Sequence, residues 1–105
     1  MMTPFHIQQL ASADIGLMRR LLNLYGRVFD EIPVYCEQQP SDDYLQRLLN
    51  KQSFITLVAM QDEELVAGLC AYELEKFEQQ RSEIYIYDLV YPVTDFVSFS
   101  ESQSA

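Results

Sequence analysis

The chain has 105 residues, 49% of them hydrophobic and 22% charged, the balance of a single globular domain with enough apolar material for a core. Seven basic against sixteen acidic residues leave a net charge of -9, which argues against a nucleic-acid or anionic-membrane surface and suits a cationic partner. One histidine (His6), two cysteines (Cys36, Cys70) and three scattered glycines exclude multi-histidine or four-cysteine zinc sites, P-loops and dinucleotide fingerprints.

In chain order, Phe5 and Ile7 alternate with polar neighbours up to Leu10, which predicts a short strand. Ser12 and Asp14 supply helix-start chemistry. Met18, Leu21, Leu22, Tyr25, Val28 and Phe29 then follow at steps of three and four, one apolar helical stripe. Asp30 to Pro40 is irregular and polar. Ser41 and Asp42 start a second helix with Tyr44, Leu45, Leu48 and Leu49 as its apolar face. Phe54 to Met60 is nearly continuous apolar sequence, as expected of a strand covered on both faces. A polar turn at Gln61 to Glu64 leads into a strand to Leu74, a hairpin without the usual Asn-Gly signal. Gly68 within it marks a bulge or a close backbone approach. Glu83 to Tyr91 is the last strand. If it is regular, Ile84, Ile86, Asp88 and Val90 share one face and Tyr85, Tyr87, Leu89 and Tyr91 the other. The order is β-α-α-β-β-β over residues 1–91, and the divergent, serine-rich stretch 92–105 is expected to be a disordered tail.

The N-terminus has no basic stretch followed by a long apolar run, and the longest apolar runs are strand-sized. A cytoplasmic chain with no membrane segment, and with both cysteines as thiols, is expected.

Asp88 is the most informative residue. A carboxylate among Ile84, Ile86 and Val90 is costly to ionise unless it is paired or hydrogen-bonded, and that reluctance to ionise suits a general base. The other reading is that a bulge turns Asp88 into a loop or that it caps a turn. Tyr85, Tyr87 and Tyr91 either line a pocket or pack as half-buried aromatics. The acidic residues Glu73, Glu75, Glu78 and Glu83 either attract a polycation or form a solvated face. His6, without an identifiable partner, reads as structural.

The segment KFEQQRSEIYIYDLV, Lys76 to Val90, resembles the third- and fourth-strand region of the type I aminoglycoside 3-N-acetyltransferases, members of the GNAT superfamily of acetyl-CoA-dependent N-acetyltransferases. The likeness extends back through SFITLVAMQDEELVAGLCAYELEKFE, SDDYLQRLL and MRRLLNLYGRVFDE, so it spans most of residues 5–90. It implies the first half of the GNAT fold, an α/β (α+β) arrangement with a mostly antiparallel sheet. It also implies acetyl-CoA lying along the last strand at Leu89 and Val90, its amides pairing with strand backbone. Asp88 matches the family's substrate-side carboxylate and is expected to take the proton of an aminoglycoside amine. Substrate contacts are expected from Asp88, Glu83, Tyr87 and the acidic Asp30 and Glu31 of the inter-helix stretch, with Glu37 nearby.

The family's pyrophosphate loop, Arg/Gln-x-x-Gly-x-Gly/Ala opening a third helix, is not matched: no glycine follows Gly68 and no Arg or Lys follows Arg81. A truncated, weakly active or inactive chain is therefore expected. The alternatives are a non-catalytic, self-associating binding module and a GNAT enzyme acting on another cationic amine or polyamine. An open edge from Glu83 to Tyr91 predicts a homodimer.

Overall fold

A computed structural model describes residues 5–91, and the tail expected over residues 92–105 lies outside them. The elements follow the expected order: β1 His6–Gln9, α1 Ile15–Val28, α2 Asp42–Leu49, β2 Phe54–Gln61, β3 Glu64–Glu75 and β4 Ser82–Val90. A π-helical turn, Pro33–Glu37, interrupts the stretch between the helices. The four strands form one sheet in the order β1-β2-β3-β4, every neighbour antiparallel, so the architecture is α+β.

Met18, Leu21 and Tyr25 recur at three- and four-residue steps, so α1 turns them together onto the sheet, where all three are buried. Leu45 and Leu49 do the same for α2. Along β2, Phe54, Thr56 and Val58 are buried and the residues between them only half-buried. The expectation of a strand covered on both faces is thus corrected: the helices cover one face, and the period-two alternation survives beneath an apolar sequence. These residues, with Leu10, Cys70 and Val90, make the core.

The helix ends have local causes. The Ser41 hydroxyl accepts from the Tyr44 N–H at 3.2 Å and caps α2. At α1 the Asp14 carboxylate instead accepts from the Ala11 N–H behind it, at 2.8 Å. α1 stops in a Schellman arrangement: Asp30 adopts φ 56°, and the Glu31 N–H returns to the Gly26 carbonyl at 2.8 Å. The β2–β3 turn is made by Asp62 and Glu63, both left-handed (φ 51° and 67°), as a tight hairpin turn requires even without glycine.

Gly68 is a close approach. A Cβ there would stand 2.5 Å from Leu21 Cδ1 and 3.0 Å from the Leu57 carbonyl oxygen, and Leu21 is wholly buried. The bulge of this hairpin lies elsewhere, where the register shifts between Ala59 and Met60. Gly68→Ala is therefore expected to destabilise the fold by about 1–3 kcal/mol through overpacking. Gly16→Ala, in α1 with nothing within 4 Å of the new methyl, is expected to stabilise it by about 0.5–1 kcal/mol. Urea unfolding midpoints of the two variants, moving in opposite directions, check both.

Candidate active site

The register of β4 decides where its charge goes. Asp88 lies opposite Cys70 and Ile86 opposite Ala71, so Tyr87 has no partner and forms a bulge. Adjacent residues of β3 point to opposite faces, so Asp88 faces the helices with Cys70 while Ile86 faces away with Ala71. The shared face expected for Ile84, Ile86, Asp88 and Val90 is thereby corrected. The two isoleucines lie on the outer face, each 61% exposed, whereas Val90 is buried and Asp88 half-buried. The bulge does not turn Asp88 into a loop; it keeps the residue in the strand and changes its side.

Two tyrosines from the helical layer meet Asp88. The Tyr25 hydroxyl donates to the Asp88 backbone carbonyl at 3.2 Å, and the Tyr35 hydroxyl donates to Asp88 Oδ2 at 3.3 Å. Beneath them, the Thr56 hydroxyl and the Cys70 thiol are 3.8 Å apart in the core. Burial pushes the Tyr25 phenol far above its ordinary range, with Cys70 and Asp88 adding to the effect. Burial, then the Asp88 charge, also raises Tyr35. Burial raises the Cys70 thiol. All three favour the neutral form, as removal of a group from water dictates.

Asp88, Tyr35, Glu31, Phe29 and Val34 line an open cavity of about 450 Å³. Its chemistry is two carboxylates set against aromatic and aliphatic walls, which fits a cationic amine. Tyr87, next to Asp88 in the chain but not in the lining of the cavity, sets its ring edge-on to Tyr72 at 5.6 Å between centroids.

The other expected residues divide. Glu31 joins Asp88 in the cavity. Asp30, exposed and left-handed, reverses the chain at the end of α1. Glu83 stands five residues from Asp88 at the far end of β4, where Arg81 at 2.7 Å, Lys76 at 3.6 Å and the Tyr85 hydroxyl already engage its carboxylate. The Tyr85 hydrogen bond, followed by Lys76, holds Glu83 below the usual carboxylate range. Glu37 is exposed on the π turn. Leu89 and Val90 lie opposite Leu69 and Gly68, and β4 is the edge of the described sheet, so its outer backbone groups face no described strand. Tyr35, Tyr25 and Phe29 are the members that the sequence did not reveal.

The tyrosines give a pH test. A phenol raised in the folded state keeps its proton longer there than in the unfolded chain. Its contribution is complete below the ordinary value of 10.0 and is lost as pH climbs above it. Stability measured by urea unfolding is expected to fall from about pH 10 upward, and less steeply in Tyr25→Phe. An unchanged alkaline slope in that variant would contradict the buried, neutral phenol.

No family model matches the chain, and no curated protein does either. Solved structures do. An aminoglycoside acetyltransferase from an uncultured soil metagenomic sample is 36% identical with a TM-score of 0.82, over 96% of this chain and 70% of that one. A second soil-metagenome aminoglycoside acetyltransferase, in complex with sisomicin, is 27% identical with a TM-score of 0.75, over 94% of this chain and 71% of that one. A predicted acetyltransferase from Clostridium acetobutylicum, solved with acetyl-CoA, shares the fold at 13% identity and a TM-score of 0.57, over 95% and 68% of the two chains.

Proposed function

Since the chain belongs to the GNAT-type aminoglycoside acetyltransferases, we propose that its own reaction is acetyl transfer from acetyl-CoA to an aminoglycoside amine, at the 3-amino position, as in antibiotic resistance. The observation that carries this reading is Asp88: a strand carboxylate turned by a bulge into a cavity that it shares with Glu31 and Tyr35.

The chemistry follows from those groups. An aminoglycoside amine arrives as an ammonium, and the two carboxylates bind it in that form. Asp88 then takes a proton, freeing the nitrogen lone pair to attack the thioester carbonyl. The C–N bond forms, the C–S bond breaks, and the second proton that the nitrogen sheds passes through water to the leaving thiolate, while Asp88 returns the first to solvent. Positioning supplies much of the rate, and a placed base contributes roughly 10²–10⁴. Asp30, Glu31 and Tyr87 would meet the sugar body and its further ammonium groups. Glu83 would reach only a distal one, in exchange for its present cations.

For the acetyl donor, the fit is partial. The open β4 edge at Leu89 and Val90 offers backbone groups to the pantetheine amides. Residues 5–91 offer no glycine-rich helix start for the diphosphate. The same edge supports a homodimer, formed by pairing β4 of two copies. Sedimentation at micromolar concentration is expected to reveal a dimer, and a monomer throughout would reject it.

Asp88→Asn keeps the shape of the side chain and removes the proton acceptor. With acetyl-CoA at millimolar concentration, thiol release with sisomicin as acceptor is expected to fall by roughly 10²–10⁴. Calorimetric sisomicin binding is expected to change far less. Normal turnover in the variant would remove Asp88 from the base role.

A further inference from the structure

We propose that Tyr35 is a positioning residue for the reaction: its hydroxyl ties one oxygen of Asp88 and leaves the other as the proton-accepting atom. This rests on the reading of Asp88 as the base. The Tyr35 hydroxyl stands 3.3 Å from Asp88 Oδ2, and Oδ1 accepts from no described residue. A carboxylate with one oxygen fixed has lost most of its rotation about the Cβ–Cγ bond. The free oxygen is then presented to the cavity in one orientation.

The segment that carries Tyr35 is held against α1 for this purpose. Asn23 Oδ1 and the Tyr35 carbonyl both accept from Gln39 Nε2, each at 2.9 Å. Arg19 donates to Gln39 Oε1 at 2.9 Å and to the Pro40 carbonyl at 3.1 Å, and also pairs with Asp42 at the start of α2. The Tyr35 ring packs on Tyr25 and Phe29, with centroids 5.7 and 5.8 Å away. Between those two residues α1 has Gly26. A Cβ there would stand 2.5 Å from Cys36 Sγ and 3.2 Å from Tyr35 Cβ, so the bare backbone is what lets the π turn lie this close. Clamp, aromatic seat and glycine together place one hydroxyl on one carboxylate.

Ring packing alone would explain a tyrosine here, and the test separates the two roles. Tyr35→Phe keeps the ring and removes only the O–H donor. With sisomicin and millimolar acetyl-CoA, kcat is expected to fall roughly ten- to hundredfold, the scale of a hydrogen bond to a charged group, while the sisomicin dissociation constant stays within about twofold. Undiminished kcat in this variant overturns the proposal.

A second readout needs no activity. Tyrosine ring-carbon NMR titration of the 105-residue chain should find the Tyr35 phenol above its ordinary value. Asp88→Asn, which removes the charge beside it, should bring it down, and Gly26→Ala should do the same by lifting the π turn. A Tyr35 midpoint indifferent to Asp88→Asn means the two groups do not touch, and that also overturns the proposal. Turnover that survives Asp88→Asn, with the midpoint nonetheless shifted, counts against the base assignment instead and leaves the contact standing.

Discussion

One surplus residue in β4 organises the site. Without the bulge at Tyr87, period-two alternation would put Asp88 on the same side as Ile84 and Ile86, away from both helices. With it, the strand changes phase between Ile86 and Asp88. The carboxylate then meets Tyr35, its backbone carbonyl meets Tyr25, and Val90 closes the core two residues later. Ile84, Ile86, Asp88 and Val90 are separated by even steps, so a wholly regular strand could not turn the first two outward and the last two inward.

The layer beneath the bulge is built to tolerate that charge. Tyr25, Thr56 and Cys70 are buried, yet among the described residues no buried side-chain polar atom lacks a hydrogen-bond partner. Burial raises the Tyr25 phenol and the Cys70 thiol and so keeps both neutral, and Thr56 has no charge to carry, so uncharged groups lie beneath the two carboxylates of the cavity, Asp88 and Glu31. The close fit of Leu21 against Gly68 seats α1 on the sheet, and α1 in turn carries Tyr25, Gly26 and Phe29 to the site. A fault at Gly68 is thus transmitted to the tyrosines.

Much of this was legible in the residues. Helical spacing locates both helices, alternation and short apolar runs bounded by polar stretches locate the four strands, and the odd carboxylate in an apolar run points to Asp88. What escaped had physical reasons. A bulge has no composition signal, since one unpaired tyrosine looks like any other, so alternation alone puts Asp88 and Val90 on the wrong face of β4. Tyr35 sits in a π turn whose backbone follows neither the 3.6 nor the 2.0 period, and no spacing rule could aim it at Asp88. A glycine within a strand signals either a bulge or a close approach, and at Gly68 only packing against Leu21 distinguishes the two. Glu83 looked available because its partners, Lys76 and Arg81, are also short-range neighbours whose geometry depends on the β3–β4 connection.

The outward turn of Ile84, Ile86 and Leu89 leaves an apolar sheet surface opposite the helices, joined by Ile7 from β1 and hollowed by a depression of about 180 Å³. Such a surface attracts its own kind, and what opposes it in solution is the mutual repulsion of chains carrying -9 each. Colloidal behaviour therefore follows charge. Acidification toward the isoelectric region near 4.3 removes the repulsion while the apolar face stays in place, and added salt shortens its range. The protein should keep best in dilute, mildly alkaline buffer, below the pH at which its tyrosines begin to ionise.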